Sequence, residues 1–241
     1  MKFNMITIAK KISKKLLPSY LLRLIRPLLP AYSKLSFSQE GEDMILSRIF
    51  DMQEKGFYVD IGAHHPYKYS NTFYFYRRGW NGINVDAMPG SMEIFNNWRP
   101  RDINIEMGVG LKEETKKYCQ FDEPALNGFD LQLSSMRIQT TKYKIIAEVD
   151  VQIQPLKQIL DAQMPENTHI DFMSIDVEGM DLDVLKSNDW DRYRPTVILA
   201  EALSNDPSQD NRGTVSEYLK NLDYTPVANT VSTCVFKDNR V

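Results

Sequence analysis

The chain has 241 residues, of which 42% are hydrophobic, 11% aromatic and 25% charged, and its formal net charge is −3. That length sustains one large α/β domain or two small ones, and the composition is that of a globular protein, which excludes disordered and disulfide-stapled classes. Mild acidity points to no nucleic-acid partner, and Cys119 and Cys234 match no metal or redox spacing, so packed, reduced thiols in a cytoplasmic protein are expected.

The charge is unevenly spread. Residues 1–39 carry eight basic residues and no acid, so the remainder of the chain carries −11. Between residues 5 and 29, leucines and isoleucines alternate with lysines and arginines, and Pro18 and Pro27 interrupt any helix. No uncharged apolar run reaches the roughly 20 residues of a membrane span, and no small-residue cleavage site follows the first lysines. Residues 1–36 are therefore expected to form a basic amphipathic extension. It either packs as short helices, makes peripheral contact with an anionic inner-membrane surface through residues 1–35, or docks onto a partner.

In Phe37 to Phe50, Ser38 or Gln39 is expected to start a helix with Glu40, Glu42 and Asp43 near its positive end and Met44, Ile45, Ile49 and Phe50 on its apolar face. So crowded a polar turn either caps the helix or meets a ligand. Strands and helices then alternate: a strand over 57–62, a helix over 71–79, a strand over 82–86, a helix over 90–98 and a strand over 102–107, which is a βαβαβ half. Lys116 to Phe121 and Ile145 to Ile153 resemble strands. The polar stretch Asp122 to Lys144 between them has no sustained period and is expected as a lid, a substrate-selecting loop or a surface excursion. A helix over 155–163, a strand from Thr168 to Glu178 and a helix to Lys186 follow. A strand over Thr196 to Ala200, a helix over 214–222 and strands over Pro226 to Val231 and Ser232 to Phe236 complete one domain, 37–241.

In an open α/β sheet, ligands lie beyond the carboxyl ends of the strands, where the strand order reverses. That rule gathers Asp60, His64, His65, Asp86, Glu106, Gly108, Asp176, Glu178 and Glu201 at one edge. Asp86 stands where a carboxylate accepts two hydrogen bonds from a ribose diol, with helix capping as the competing role. Gly62 permits close backbone approach. Asp60-Ile-Gly-Ala-His-His-Pro66 lacks the G-x-G-x-x-G fingerprint and places a proline where a helix should receive a pyrophosphate, which argues against a dehydrogenase.

Five segments resemble the FkbM-type S-adenosylmethionine-dependent methyltransferases: Ser38 to Asp43, Val59 to His64, Gly82 to Asp86, Ile175-Asp-Val-Glu-Gly179 with Asp183-Val-Leu185, and Arg194-Pro195 through Glu201. The resemblance implies a class I methyltransferase fold, a Rossmann-like three-layer sandwich with a mostly parallel seven-stranded sheet and an antiparallel C-terminal strand. It also implies S-adenosylmethionine as cofactor, with Gln39 among its contacts and Asp60, Gly62 and Ala63 near its methionine part. Asp86 falls on the ribose, Met107 and Gly108 near adenine, and Asp176 at the sulfonium. His64 and Pro66 stand where many relatives carry Asn and Gly.

The activity so implied is O-methylation of a hydroxyl on a sugar, glycan precursor or related natural product. The alternative is a non-catalytic cofactor-binding or scaffold protein of a polysaccharide assembly system. A positioned base speeds removal of a hydroxyl proton by roughly 10² to 10⁴-fold, and His64, His65 and Glu178 are candidates beside Asp176. Alternatively, Asp176 and Glu201, at the ends of neighbouring strands, bind Mg²⁺ through oxygens and acidify a bound hydroxyl.

Overall fold

The computed structural model describes residues 34–201 and 211–241. The basic extension expected over residues 1–36 lies, for residues 1–33, outside the described residues. No helix among the described residues is long and apolar enough to cross a membrane.

The elements are α1 (Glu42–Ile49), β1 (Phe57–Ile61), α2 (Phe73–Tyr76), β2 (Asn81–Asp86), α3 (Ser91–Trp98), β3 (Ile103–Glu106), β4 (Gly108–Val109) and β5 (Glu114–Phe121). A 3₁₀ turn (Pro124–Leu126), α4 (Leu131–Thr140), β6 (Ile145–Gln154), α5 (Leu156–Gln163), β7 (Phe172–Ile175) and α6 (Asp181–Lys186) follow. The chain closes with β8 (Val197–Glu201), α7 (Asn211–Asn221), β9 (Tyr224–Asn229) and β10 (Thr233–Asp238).

Seven strands form one sheet in the order β3-β2-β1-β7-β8-β10-β9. The pairs from β3 through β8 are parallel, and β10 runs antiparallel to β8 and β9. The strand order reverses between β1 and β7, the place where a crevice opens in such sheets. All five residues of β1 are buried, because both faces of the strand are covered. Phe57, Val59 and Ile61 pack with Leu156 and Leu160 of α5 and Val184 and Leu185 of α6. On the other face Tyr58 packs with Leu46 of α1, Phe75 of α2 and Trp80. Strict alternation thus builds the three layers, and each fully buried aliphatic or aromatic side chain contributes roughly 1.5–3 kcal/mol.

Several boundaries differ from those expected. The first helix begins at Glu42, after Gly41 at φ +90°, because Ser36, Phe37 and Ser38 fold around the buried Asp43 carboxylate instead of joining the helix. The helix expected over 71–79 is reduced to Phe73–Tyr76: Ser70 Oγ accepts from the Phe73 amide at its start, and Arg77 ends it. The strand expected over 102–107 stops at Glu106, and Gly108–Val109 leaves it to pair with β6 in a second sheet of order β4-β6-β5. The strand expected from Thr168 to Glu178 covers only Phe172–Ile175, as Glu178 and Gly179 take positive φ. The polar stretch Asp122 to Lys144 contains the 3₁₀ turn and α4, whose start is capped by the Asp130 carboxylate accepting from the Gln132 and Leu133 amides.

Candidate active site

A cavity of about 290 Å³ lies beyond the carboxyl ends of β1, β2, β7 and β8. Its floor depends on Gly62, at φ +80°, where an added Cβ would sit 1.8 Å from the Asp176 carbonyl oxygen. The ends of β1 and β7 thus approach more closely than any side chain at position 62 allows.

On the β2 side stands Asp86, whose two carboxylate oxygens accept from the His64 and Met88 amides, each at 2.8 Å. It is not the N-cap of α3, a place taken by Gly90. Burial pushes its carboxyl above the usual range. Met107 lines the same side, its amide bonded to the Asp86 carbonyl.

On the β7 and β8 side, Asp176, Glu178 and Glu201 line the cavity together with Glu42. Register sets Ile175 opposite Ala200, so Asp176 and Glu201 follow side by side. Asp176 is solvent-accessible where it lines the cavity, yet the protein packed around its carboxyl and then the neighbouring Glu178 charge push it well above the usual range. Burial followed by Asp176 raises Glu201 likewise. Asp181, buried behind them and accepting from the Glu201 amide, is raised to about 7. Facing these carboxyl groups is a single guanidinium among the described lining residues, Arg137 of α4, which ion-pairs with Glu178.

His64 and His65 part company. His64, at φ +53°, lines the cavity and its Nε2 is buried without a hydrogen-bond partner. Burial and then Lys68 hold its pKa below the ordinary value, so the ring is neutral near pH 7. His65 turns away, its Nδ1 accepting from the Tyr67 and Lys68 amides.

Gln39, Gly62, His64, Asp86, Met107, Asp176, Glu178 and Glu201 therefore meet at one cavity, while Asp60, Ala63, His65 and Gly108 do not line it. Asp60 is on the opposite face of β1 from Ile61, where it accepts from Thr72 Oγ1 at 2.7 Å. Ala63 packs on Met92 and Phe95. Gly108 is absorbed by its pairing with Ile153. Glu106 turns to the Gly90 amide at the start of α3. Among the described residues no three His, Cys, Asp or Glu side chains are grouped to hold a metal ion, so the Asp176–Glu201 pair lacks a third ligand of that kind for Mg²⁺.

Sequence reasoning missed Asn71, Tyr118, Asn127 and Arg137, which also line the cavity. Glu42 was visible only as one acid in a crowded polar turn; its burial in an early helical turn is what distinguishes a cavity wall from a dipole partner.

A family model described as the methyltransferase FkbM domain matches residues 60–226. Among solved structures, a putative O-methyltransferase from Klebsiella pneumoniae is similar at 13% identity with a TM-score of 0.45, covering 97% of this chain and 96% of that one. An O-methyltransferase from Bacillus cereus in complex with SAH is similar at 15% identity and TM-score 0.40, covering 95% and 96%. A putative RNA methyltransferase from Pyrococcus horikoshii is similar at 9% identity and TM-score 0.42, covering 92% and 99%. No curated protein matches the chain. The family match runs from the end of β1 into β9 and takes in more than half of the chain, so the protein belongs to the FkbM methyltransferase family.

Proposed function

We propose that this methyltransferase holds S-adenosylmethionine across the ends of β1 and β2 and methylates a hydroxyl of a sugar, glycan precursor or related natural product. The observation that carries the cofactor assignment is the excess of acidic over basic groups lining the cavity. Glu42, Asp86, Asp176, Glu178 and Glu201 face it with one guanidinium among the described residues to balance them. Asp176 and Glu201, raised first by burial and then by neighbouring carboxyl charge, are stabilised in their ionised forms by an arriving cation, and S-adenosylmethionine carries a sulfonium and an ammonium.

When bound, the cofactor supplies an activated methyl group on sulfur. Asp86 retains lone pairs beyond its two amide contacts and accepts from the ribose diol. Met107 completes the wall on that side, Gln39 and Gly62 line the same cavity, and Asp176 faces the cationic end. His64, neutral and with Nε2 unpartnered, takes the proton of the acceptor hydroxyl. The carboxyl groups of Glu178 and Glu201 hydrogen-bond further hydroxyls and so orient the acceptor, which is the larger part of the catalytic task. A neutral polyol suits such a wall, and the family resemblance points the same way. In this proposal residues 1–35 hold the enzyme at an anionic membrane surface, and liposome co-sedimentation lost on truncation or without anionic lipid tests that part.

Transfer of labelled methyl from S-adenosylmethionine to a panel of neutral glycosides and nucleotide-sugars tests the activity, with Asp176→Asn as control. Incorporation by the wild type and its loss in the variant are expected. Cofactor binding with no transfer to any sugar in the panel would overturn the acceptor class.

A further inference from the structure

The segment from Asp122 to Lys144 spans the cavity from the β2 side to the β7 side. Its base is closed by two bonds, the Asp122 amide to the Lys144 carbonyl and the Lys144 amide to the Asp122 carboxylate, both 3.0 Å. Its first arm returns onto β5, where Gly128 exchanges backbone bonds with Cys119 and Asn127 Oδ1 accepts from the Phe121 amide at 2.7 Å. Asn127 Nδ2 also lies 3.3 Å from Met88 Sδ, beside the end of β2. The second arm is α4. Only Leu133 and Ser134 of that helix are buried, and Leu131, Met136 and Ile138 are exposed, so burial alone attaches it weakly.

Arg137 supplies the missing attachment. Its Nη1 donates to the Leu126 carbonyl at 2.8 Å, and its Nη2 pairs with Glu178, so one side chain ties α4 both to the first arm and to the turn after β7. The two side chains are 14% and 20% exposed, shielded enough from solvent for the pair to matter. Its partner Glu178 sits at φ +53°, a strained conformation for a residue with a side chain, which persists only where surroundings hold it.

We infer that Arg137 is a positioning residue that fastens this segment as a strap across the cavity, and that its pairing with Glu178 governs entry and exit of the adenosyl cofactor. This rests on the cofactor proposed above. Both bonds of Arg137 end on groups that border the cavity, so opening them lifts the strap without unfolding the sheet below. A lysine retains the charge but not the fork that reaches Leu126 and Glu178 together.

The test is stopped-flow binding of S-adenosylhomocysteine to the wild type, Arg137→Lys and Arg137→Gln, with hydrogen exchange of the ligand-free proteins. Dissociation about tenfold faster from Arg137→Gln, faster association, and Arg137→Lys in between are expected. Amides of α4 should exchange faster in Arg137→Gln while those of β7 do not change. Equal dissociation rates in wild type and Arg137→Gln overturn the gating role. If the wild type fails to bind S-adenosylhomocysteine, the proposed cofactor fails, and exchange still decides on the strap: unchanged exchange in α4 overturns it. Should Arg137→Gln not fold, Arg137→Lys carries both readouts.

Discussion

Gly62 and Asp176 meet so closely that a methyl group added to the glycine would lie 1.8 Å from the aspartate's backbone oxygen. This contact draws together the two strands between which the sheet order reverses, and it sets the distance between the two sides of the cavity. At φ +80° the substitution Gly62→Ala is strained before any clash is counted. Its expected cost is at least about 3 kcal/mol by urea unfolding, because neither backbone can retreat without breaking β1–β7 pairing. A change below about 1 kcal/mol would show that the strand ends relax freely.

A second prediction concerns the buried cation beneath the site. Arg99 is fully buried, paired with Asp102 at 2.8 Å, and donates to Tyr58 at 2.7 Å and to Thr72 at 2.9 Å, while Thr72 donates to Asp60. Arg99→Met leaves the Asp102 carboxylate without its ion-pair partner in the interior. The expected loss is about 3–5 kcal/mol, measured by urea denaturation, and a loss below 1 kcal/mol would contradict the role given to the network.

The carboxyl cluster sets an unusual pH dependence. Asp181 keeps its proton in the fold up to about pH 7, against 3.8 for its ordinary value, and Asp176 and Glu201 are displaced in the same direction. The folded state therefore binds more protons than the unfolded chain. The associated stability is complete below the ordinary carboxyl range and is lost as pH rises through the folded values. The thermal midpoint of the ligand-free protein should fall between pH 5 and 8. Asp181→Asn, which keeps an oxygen for the Glu201 amide, should flatten that fall. Stability rising over this interval would count against the cluster.

The two histidines give opposite expectations. His64→Ala should lower kcat by roughly 10² to 10⁴-fold. The acid limb of the wild-type pH profile should lie below 6.5, since burial depresses the pKa of His64. His65→Ala removes two turn contacts and should cost about 1 kcal/mol of stability with activity within a few-fold of wild type. The reverse pattern in kinetics would exchange their roles.

The layers were legible because β1 and its neighbours are short apolar runs ending in or beside acids, and runs that short, bounded by turn residues, suit strands buried on both faces. The same runs placed Asp86, Asp176 and Glu201 at strand ends correctly. Asp60 stands away from the cavity for a simple geometric reason: it precedes the strand's last residue and points to the face opposite Ile61. The strap was not legible as a helix because α4 buries little, so its sequence carries no strong period. Arg137 and Asn127 act through tertiary contacts about 40 residues away, which local patterns cannot reveal.

The central claim is that a cationic adenosyl cofactor lies between Asp86 and Asp176, and calorimetric titration with S-adenosylmethionine tests it most directly. The wild type should bind with one site per chain, Asp86→Ala should weaken binding by at least about tenfold through loss of the diol contacts, and Asp176→Asn should weaken it further than S-adenosylhomocysteine binding is weakened. No heat of binding in the wild type, or equal affinity in Asp86→Ala, would contradict it.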